Sequence, residues 1–285
     1  YDTVGARNPR LVYGQITGYG LEGPDANRPG YDIAAFWARS GIAHMLTPEG
    51  GALPFQRGGM GDHTTGVTFA GAISAALYQR ERSGLGQMVS SSLLRQGVYT
   101  IGFDLNMMLG WGQHPMIGQR TQMMNPSVNN YQAGDGKWFW VVGLEGERHW
   151  PPLARVAGHP EWITDERFVT PLQRAINHKE LIALLDEAFS GKSLDEWADI
   201  FATEPDMFWS PVNSAEEVLA DPQLQHAGGL IEVPDEYGTT TMIASPADFH
   251  GTPGEPRWIA PKLGEHTAEV LRELGRSDAV IEELF

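Results

Sequence analysis

A short glycine-rich segment carries the carboxylate best placed for chemistry in this sequence. Asp62 stands between Gly61 and a stretch with the pattern of a helix, and Gly58, Gly59 and Gly66 lie close by. Glycine lets a ligand approach the backbone closely, and a helix N-terminus favours a negative charge. Asp62 is therefore either a helix cap or an ionised carboxylate able to form a covalent acyl intermediate. Taken alone, the residue types favour the cap.

Several other chemistries lack the residues they need. The sequence has no cysteine, which removes thiolate nucleophiles, disulfides and cysteine-ligated zinc. Its nine histidines form neither a His-Glu-x-x-His pattern nor a helical pair beside a carboxylate, so we expect no metal site. No serine stands in a Gly-x-Ser-x-Gly elbow. Residues 18–23 match the letters of a dinucleotide-binding loop, but Pro24 and Pro29 stand where its helix should begin, so we predict a tight turn.

The charge of the chain limits its partners. A net charge of −16 argues against nucleic acid and against anionic membrane surfaces. Residues 1–120 hold nine Arg, no Lys and eight acidic residues, so they carry about +1 and the remainder about −17. An arginine-only first part suits an anionic ligand. The sequence shows neither a membrane-spanning run nor a signal-peptide pattern, and we expect a cytoplasmic protein.

Hydrophobic periodicity predicts the elements that position Asp62. Residues 10–17 alternate as a strand, and residues 64–82 repeat as a helix that Thr64 or Thr65 can cap. Residues 88–94 fit either a strand or the start of a helix. Residues 105–130 show no clear period, which is typical of a linker.

The rest of the chain predicts a second set of elements. A strand at 137–143 follows an Asp135-Gly136 turn, and Asn177 and Ser193 are predicted to cap two of the helices. The predicted helices are 147–157, 178–189, 193–203, 214–220, 266–274 and 277–284, with strands near 229–233 and 239–244. The sequence opens at Tyr1 without a Met or a capped first element. We expect an N-terminal portion that is removed, disordered or carried on another chain.

A series of motifs occurs in register along the whole chain. They are residues 8–13, 16–20, 23–24, 28–32 (Arg-Pro-Gly-Tyr-Asp), 61–66, 83–87, 135–137, 158–162 and 263–267. In this order and at these spacings they resemble the family III CoA-transferases, the CaiB/BaiF type that includes formyl-CoA transferase. No single motif decides the resemblance, which rests on their common register.

The resemblance implies an α/β fold in which a smaller domain is inserted into a larger one. The Rossmann-like large domain would comprise residues 1–104 and a return segment, 208–285. A linker at 105–130 would lead to a small α+β domain at 131–207. The family also implies an interlocked homodimer and a preceding N-terminal segment, absent here, which a separate chain could carry.

The resemblance further implies a CoA-transferase that moves CoA from an acyl-CoA donor to a carboxylic acid acceptor, without a metal. Asp62 would be the nucleophile, passing through a mixed anhydride and an aspartyl-CoA thioester. Tyr31 would shape the acyl pocket, with Asp32, Glu147, Gly59 and Gly61 as further pocket residues. Arg28 would contact the phosphates of CoA.

Two other functions stay open. Acyl-CoA racemases share the fold but carry His where Tyr31 stands. A tyrosine, with a pKa of about 10, exchanges protons at neutral pH less readily than an imidazole, with a pKa of about 6.5. Thr64 and Thr65 also favour the transferase, since the racemases tend to glycines there. The chain could instead be a partner-dependent or inactive subunit or fragment.

Overall fold

The computed structural model describes residues 1–113 and 119–284, which divide into two compact units. The first unit is Tyr1–Ser210 and the second is Pro211–Phe285. Within the first unit the buried apolar side chains form two separate clusters. One lies between residues 35 and 93, and the other between residues 131 and 207.

Residues 1–113 are organised around a two-stranded parallel sheet. Strand β1 (Tyr13–Thr17) pairs with β2 (Met88–Ser92), with Tyr13 opposite Met88 and Thr17 opposite Ser92. Parallel strands need a long crossover connection, and helix α3 (Met60–Ser83) is the longest helix of the connection here. The other elements of this part are α1 (Asp2–Arg7), a π-helix (Ile33–Ala38), α2 (Ile42–Met45), α4 (Leu93–Thr100) and α5 (Gly102–Trp111).

The π-helix forms the centre of the first cluster. Its residues Ala35, Phe36 and Trp37 are all buried, and Ile42, Ala43 and Leu93 pack with them. The N–H of Arg39 donates to the carbonyl of Ala34, the i to i−5 bond that defines a π-turn. This short helix connects the Tyr31-Asp32 pair to the segment that leads into α3.

Residues 119–211 form a three-stranded sheet covered by helices, in which the first two strands pair antiparallel. Strands β3 (Val128–Gln132), β4 (Trp138–Val142) and β5 (Trp209–Pro211) lie in the order β3-β4-β5, and Gly136, at φ +85°, makes the turn between the first two. The helices are α6 (Gly146–Val156), α7 (Pro171–Ile176), α8 (His178–Phe189) and α9 (Leu194–Phe201), with 3-10 turns at Arg120–Gln122 and Pro160–Ile163. Aromatic rings fill the core. The rings of Phe139 and Phe189, for example, meet edge-on with their centroids 5.0 Å apart.

The second unit is small and its elements are short. Helices α10 (Ala215–Ala220) and α11 (Pro222–His226) precede an antiparallel hairpin of β6 (Leu230–Asp235) and β7 (Gly238–Ile243). Helices α12 (Thr267–Glu273) and α13 (Asp278–Glu282) follow. No helix of the described ranges has the length and apolar character that a membrane crossing requires.

Most predicted elements are present, with their ends shifted by a few residues. The Ser193 cap of α9 is confirmed, and it forms a full capping box with Glu196. Asn177 occupies the N-cap position of α8 as predicted, but its side chain makes no capping bond, and its amide donates to the carbonyls of Arg167 and Gln173. Residues 88–94, left open between strand and helix, form β2 and then the start of α4.

Two segments differ from the expectation at the chain start and in the linker. Residues 2–7 form α1, although the sequence offers no capping side chain there. Helix α5 extends to Trp111, inside the stretch predicted as the linker 105–130. Part of that predicted linker, residues 114–118, lies outside the described residues.

Candidate active site

Asp62 is exposed on the first turn of α3. It is the third residue of the helix, which begins at Met60 after the left-handed residue Gly59 (φ +80°). The N–H of His63 donates to the carbonyl of Gly59 at 2.8 Å, which closes the first helical turn. Across the described residues, the carboxylate of Asp62 makes no hydrogen bond or ion pair, so both oxygens are available to a ligand.

Asp32, rather than Asp62, satisfies the start of the helix. Both carboxylate oxygens of Asp32 accept the N–H of Gly61, each at 3.1 Å, and its Oδ1 also accepts from Nε2 of the buried Gln56 at 2.7 Å. The first N–H groups of a helix have no partner inside the helix, so an outside acceptor stabilises them. Asp62 is therefore not the cap, and its carboxylate remains uncommitted.

The predicted cap by Thr64 or Thr65 is also wrong. Both hydroxyls donate backwards within the helix, Thr65 to the carbonyl of Gly61 at 2.6 Å and Thr64 to that of Met60 at 2.9 Å. A sequence window around residues 60–66 could not show this, because the true cap comes from a residue about thirty positions earlier.

Gly61 is buried because another helix lies directly against it. A Cβ atom at this position would come within 2.6 Å of Phe36 Cβ, and closer still to Phe36 Cγ and Asp32 Oδ1. Only a residue without a side chain lets the π-helix and α3 approach this closely. The glycine thus brings Asp32 within reach of the helix N-terminus.

Tyr31 stands immediately before the capping carboxylate. Its side chain is 79% exposed, and its carbonyl accepts the N–H groups of Ala34 and Ala35, which starts the π-helix. The structure therefore brings together Tyr31, Asp32, Gly59, Gly61 and Asp62. All five were proposed for the site from the sequence, and only the capping interaction among them was not anticipated.

Backbone N–H groups near Asp62 could stabilise an oxyanion. The N–H of Gly61 is committed to Asp32, whereas those of Gly58, Gly59 and Asp62 have no hydrogen-bond acceptor within the described part of the chain. Free amides at a helix N-terminus present partial positive charge to a developing negative oxygen. The segment therefore offers a nucleophile and oxyanion donors side by side.

Arg28 lies in the loop that follows β1. Its guanidinium is over the ring of Tyr19, 5.4 Å from the centroid, and 3.7 Å from a carboxylate oxygen of Asp25. The side chain is more than half exposed, which leaves it accessible to a ligand.

Glu147 lies apart from the other candidate residues. It is exposed on the first turn of α6, a helix of the second core cluster. Burial lowers the pKa of the Arg174 guanidinium below its ordinary value, and the negative charge of Glu147 opposes that shift. Within the described residues of one chain, no hydrogen bond or ion pair links Glu147 to the Asp62 segment.

A cavity of about 700 Å³ lies between α3, β2, α4 and α5. Phe69, Ala72, Ser90, Arg95 and Tyr99 are among its lining residues, and Asp62 is not. The described ranges contain no group of three or more His, Asp or Glu side chains suited to a metal ion.

Removing the Asp32 cap should destabilise the fold around the start of α3. We expect Asp32→Ala to lower the free energy of unfolding by about 1–2 kcal/mol, because Gly61 N–H loses its acceptor and buried Gln56 loses its partner. Asp32→Asn keeps one acceptor oxygen, so its free energy of unfolding should fall by less. Urea denaturation of the two variants measures the difference, and equal stability of Asp32→Ala and the unmodified chain would contradict this role.

Gln56 is the residue of this site that the sequence did not indicate. It is buried, and its amide holds the cap in place from the loop before α3. A glutamine in a loop without periodicity carries no local signal, since its partner is set by tertiary structure alone.

Comparison with known proteins identifies the family. Residues 1–267 match the model of CoA-transferase family III. The chain is 28% identical to "(R)-2-hydroxy-4-methylpentanoate CoA-transferase" of Clostridioides difficile, covering 99% of this chain and 70% of that protein. It is 34% identical to "Acyl-CoA transferase" of Fusarium pseudograminearum, and the match covers 96% of this chain and 60% of that protein.

A solved structure supports the same relationship. A CaiB/BaiF family protein from Brucella suis superposes with a TM-score of 0.76 at 30% identity, covering 96% of this chain and 70% of that one. The chain thus spans 60% to 70% of the length of these relatives. The α/β fold of family III and the assignment to a family of CoA-transferases are confirmed. The chain belongs to CoA-transferase family III.

Proposed function

We propose that this chain carries the nucleophile of a CoA-transferase, and that the nucleophile is Asp62. The observation that carries this proposal is that the two aspartates at the start of α3 have different roles. Asp32 accepts the N–H of Gly61, which leaves the exposed carboxylate of Asp62 without a structural partner. An exposed carboxylate beside glycines and unpaired amides is suited to form a covalent acyl intermediate.

The reaction proceeds through acyl transfers on Asp62. Its carboxylate oxygen attacks the thioester carbon of the donor acyl-CoA, the carbon–sulfur bond breaks, and CoA leaves as a thiolate. The thiolate attacks the aspartyl carbonyl of the mixed anhydride, which releases the donor acid and forms an aspartyl-CoA thioester. The acceptor carboxylate attacks this thioester and expels the thiolate. The thiolate then takes the acceptor acyl group from the second anhydride and restores Asp62.

Each neighbouring residue has a proposed part in these steps. Asp32 is a positioning residue, since it holds the N-terminus of α3 and with it the backbone of Asp62. The free N–H groups of Gly59 and Asp62 are candidates to stabilise the tetrahedral oxyanions. Tyr31 forms part of the acyl pocket, and Arg28 contacts a phosphate of CoA.

The racemase alternative makes a different prediction. A racemase exchanges the α-hydrogen of its substrate with solvent, whereas a transferase needs no such exchange. We expect no deuterium to enter the α-carbon of an acyl-CoA substrate in D₂O without a carboxylate acceptor, as measured by mass spectrometry. Two observations support this expectation. The relatives are named as transferases, and Tyr31 stands where the racemases carry a histidine.

A second copy of the chain and an additional segment are part of the proposal. Helix α5 exposes Phe103, Leu109 and Trp111, each more than 70% accessible, and apolar surface of this kind is typical of an interface. We propose that Glu147 reaches the acyl pocket from a second copy, because no hydrogen bond or ion pair links it to the Asp62 segment within the described residues of one chain. We propose an interlocked homodimer, located in the cytoplasm, in which a further segment or chain completes the CoA pocket.

A trapping experiment tests the proposed function. The protein is incubated with an acyl-CoA donor, treated with hydroxylamine or borohydride, digested and analysed by mass spectrometry. We expect a modified peptide that contains Asp62. A donor-dependent label on another residue, or none while CoA transfer proceeds, would overturn the assignment of the nucleophile. If the chain alone neither binds CoA nor transfers it, the proposal of an inactive or partner-dependent subunit replaces this one.

A further inference from the structure

Two backbone segments cross at the carboxyl end of β1. Strand β1 ends at Thr17, and the next residue, Gly18, lies against Gly30, so that a Cβ on Gly18 would come within 2.7 Å of Gly30 Cα. The carbonyl of Gly18 also accepts the N–H of Leu94 near the start of α4. This crossing holds the loop that begins with Tyr19 beside the segment that carries Arg28. In open α/β sheets, ligands bind in the crevice outside the carboxyl ends of parallel strands.

Two arginines meet over one tyrosine ring at this position. The guanidinium carbons of Arg28 and Arg39 lie 5.4 Å and 5.7 Å from the centroid of Tyr19. Asp25 lies between them, with one oxygen 3.7 Å from Arg28 and the other 3.0 Å from Arg39. Arg28 and Arg39 are thus held together by a shared ring and a shared carboxylate.

The charges of this cluster do not balance. Asp25 is the only carboxylate paired with Arg28 or Arg39 in the described part of the chain, so the group carries a net charge of about +1. Each guanidinium has five N–H donors, and in these described ranges neither guanidinium group makes a hydrogen bond, although both pair electrostatically with Asp25. Both side chains are about half exposed. The arrangement therefore offers guanidinium N–H donors and a positive charge to an anion in a protein of net charge −16.

The cluster connects directly to the segment that carries Asp62. Arg39 follows the π-helix, and Asp32, which caps α3, precedes it. Asp32 and Arg39 therefore flank the two ends of the π-helix. An acyl-CoA carries its thioester and its phosphates at opposite ends of a long flexible arm. A phosphate site displaced from the nucleophile along the π-helix suits a ligand of this shape.

We propose that Arg28 and Arg39 together bind a phosphate group of the acyl-CoA substrate, and that this phosphate replaces Asp25 as their common partner. The proposal rests on the proposed CoA-transferase function for the identity of the ligand, and it adds Arg39, Tyr19 and Asp25 to the site. Guanidinium groups bind phosphate oxygens through paired, charge-assisted hydrogen bonds. Asp25 pairs with the two arginines before the substrate binds, so it competes with the substrate for them.

Binding measurements on Arg39 variants test the proposal. We expect Arg39→Gln to raise the dissociation constant for CoA at least about tenfold in isothermal titration calorimetry, because charge-assisted hydrogen bonds are lost. Arg39→Lys keeps the charge but not the planar fork, and should recover only part of the affinity. Asp25→Asn removes the competing charge and should bind CoA more tightly than the unmodified chain. Arg39→Gln should lose more transfer activity with acyl-CoA than with an acyl-pantetheine thioester, which has no phosphate.

A matched control is available on another helix. Arg82 is an exposed arginine over the ring of Tyr78, 5.9 Å from the centroid, at the far end of α3. Arg82→Gln should bind CoA as the unmodified chain does. Arg39→Gln with the affinity of Arg82→Gln would overturn the proposal, as would equal losses with CoA and with acyl-pantetheine.

The binding and trapping experiments separate this proposal from the proposed function. If Arg39→Gln loses affinity for CoA and for inorganic pyrophosphate but no acyl label reaches Asp62, the phosphate site stands and the nucleophile assignment falls. If Asp62 is labelled and Arg39→Gln binds CoA normally, the transferase stands and the phosphate site falls. An unmodified chain that binds neither CoA nor pyrophosphate would also overturn the phosphate site.

Discussion

Asp62→Asn should lose CoA-transferase activity by at least about 10³-fold while remaining folded, because an amide cannot form the acyl anhydride and removal of a nucleophile is costly. The side chain is exposed and has no structural partner among the described residues, so the substitution should leave the unfolding transition unchanged. Steady-state transfer between an acyl-CoA and a carboxylic acid, together with thermal denaturation, measures both outcomes.

Asp195 provides the matched control for this variant. It is likewise an exposed aspartate on the first turn of a helix, α9, but it lies in the second core region. Asp195→Asn should keep full activity and stability. If Asp62→Asn is as active as Asp195→Asn, Asp62 is not the nucleophile. If Asp62→Asn is also unstable, the carboxylate of Asp62 stabilises the fold, contrary to our expectation.

Gly61→Ala should be the most damaging single-methyl change in the site. The added Cβ would overlap Asp32 and Phe36, so the start of α3 must move away from the π-helix. Overpacking together with loss of the Asp32 cap should lower the free energy of unfolding by about 2–4 kcal/mol. A displacement of Asp62 by about 1 Å should lower kcat by on the order of 10²-fold. Urea denaturation and transfer assays test the two effects.

The same helix supplies the comparison. A Cβ on Gly71 would have no atom within 4 Å apart from the backbone of its own helix. Gly71→Ala should therefore raise the free energy of unfolding by about 0.5–1 kcal/mol through helix propensity alone. The two Gly→Ala changes should therefore shift the urea midpoint in opposite directions. Shifts of the same sign and size would show that the contact between Gly61 and the π-helix does not hold the site together.

The local patterns of the sequence predicted most of the elements, because those patterns depend on nearest neighbours. The Ser193 cap of α9 and the Asp135-Gly136 turn were predicted in place, since each requires only residues a few positions apart. The π-helix, by contrast, has no simple sequence period. Strand β3 contains two asparagines, which are uncommon in strands, and β5 has only three residues. Helix α1 was missed because no side chain marks its start.

The motifs of the chain were enough to identify its family and to nominate Asp62, since motif register is a property of the sequence itself. The sequence could not say whether Asp62 was a cap or a free carboxylate. That choice depends on which acceptor reaches the N–H of Gly61, and Asp32 reaches it only because the π-helix packs against a glycine of α3. Likewise, Arg28 and Arg39 are eleven residues apart in the sequence and meet over Tyr19 only where two glycines let the backbone cross. Contacts between distant segments decided both features, because packing sets which groups share a partner.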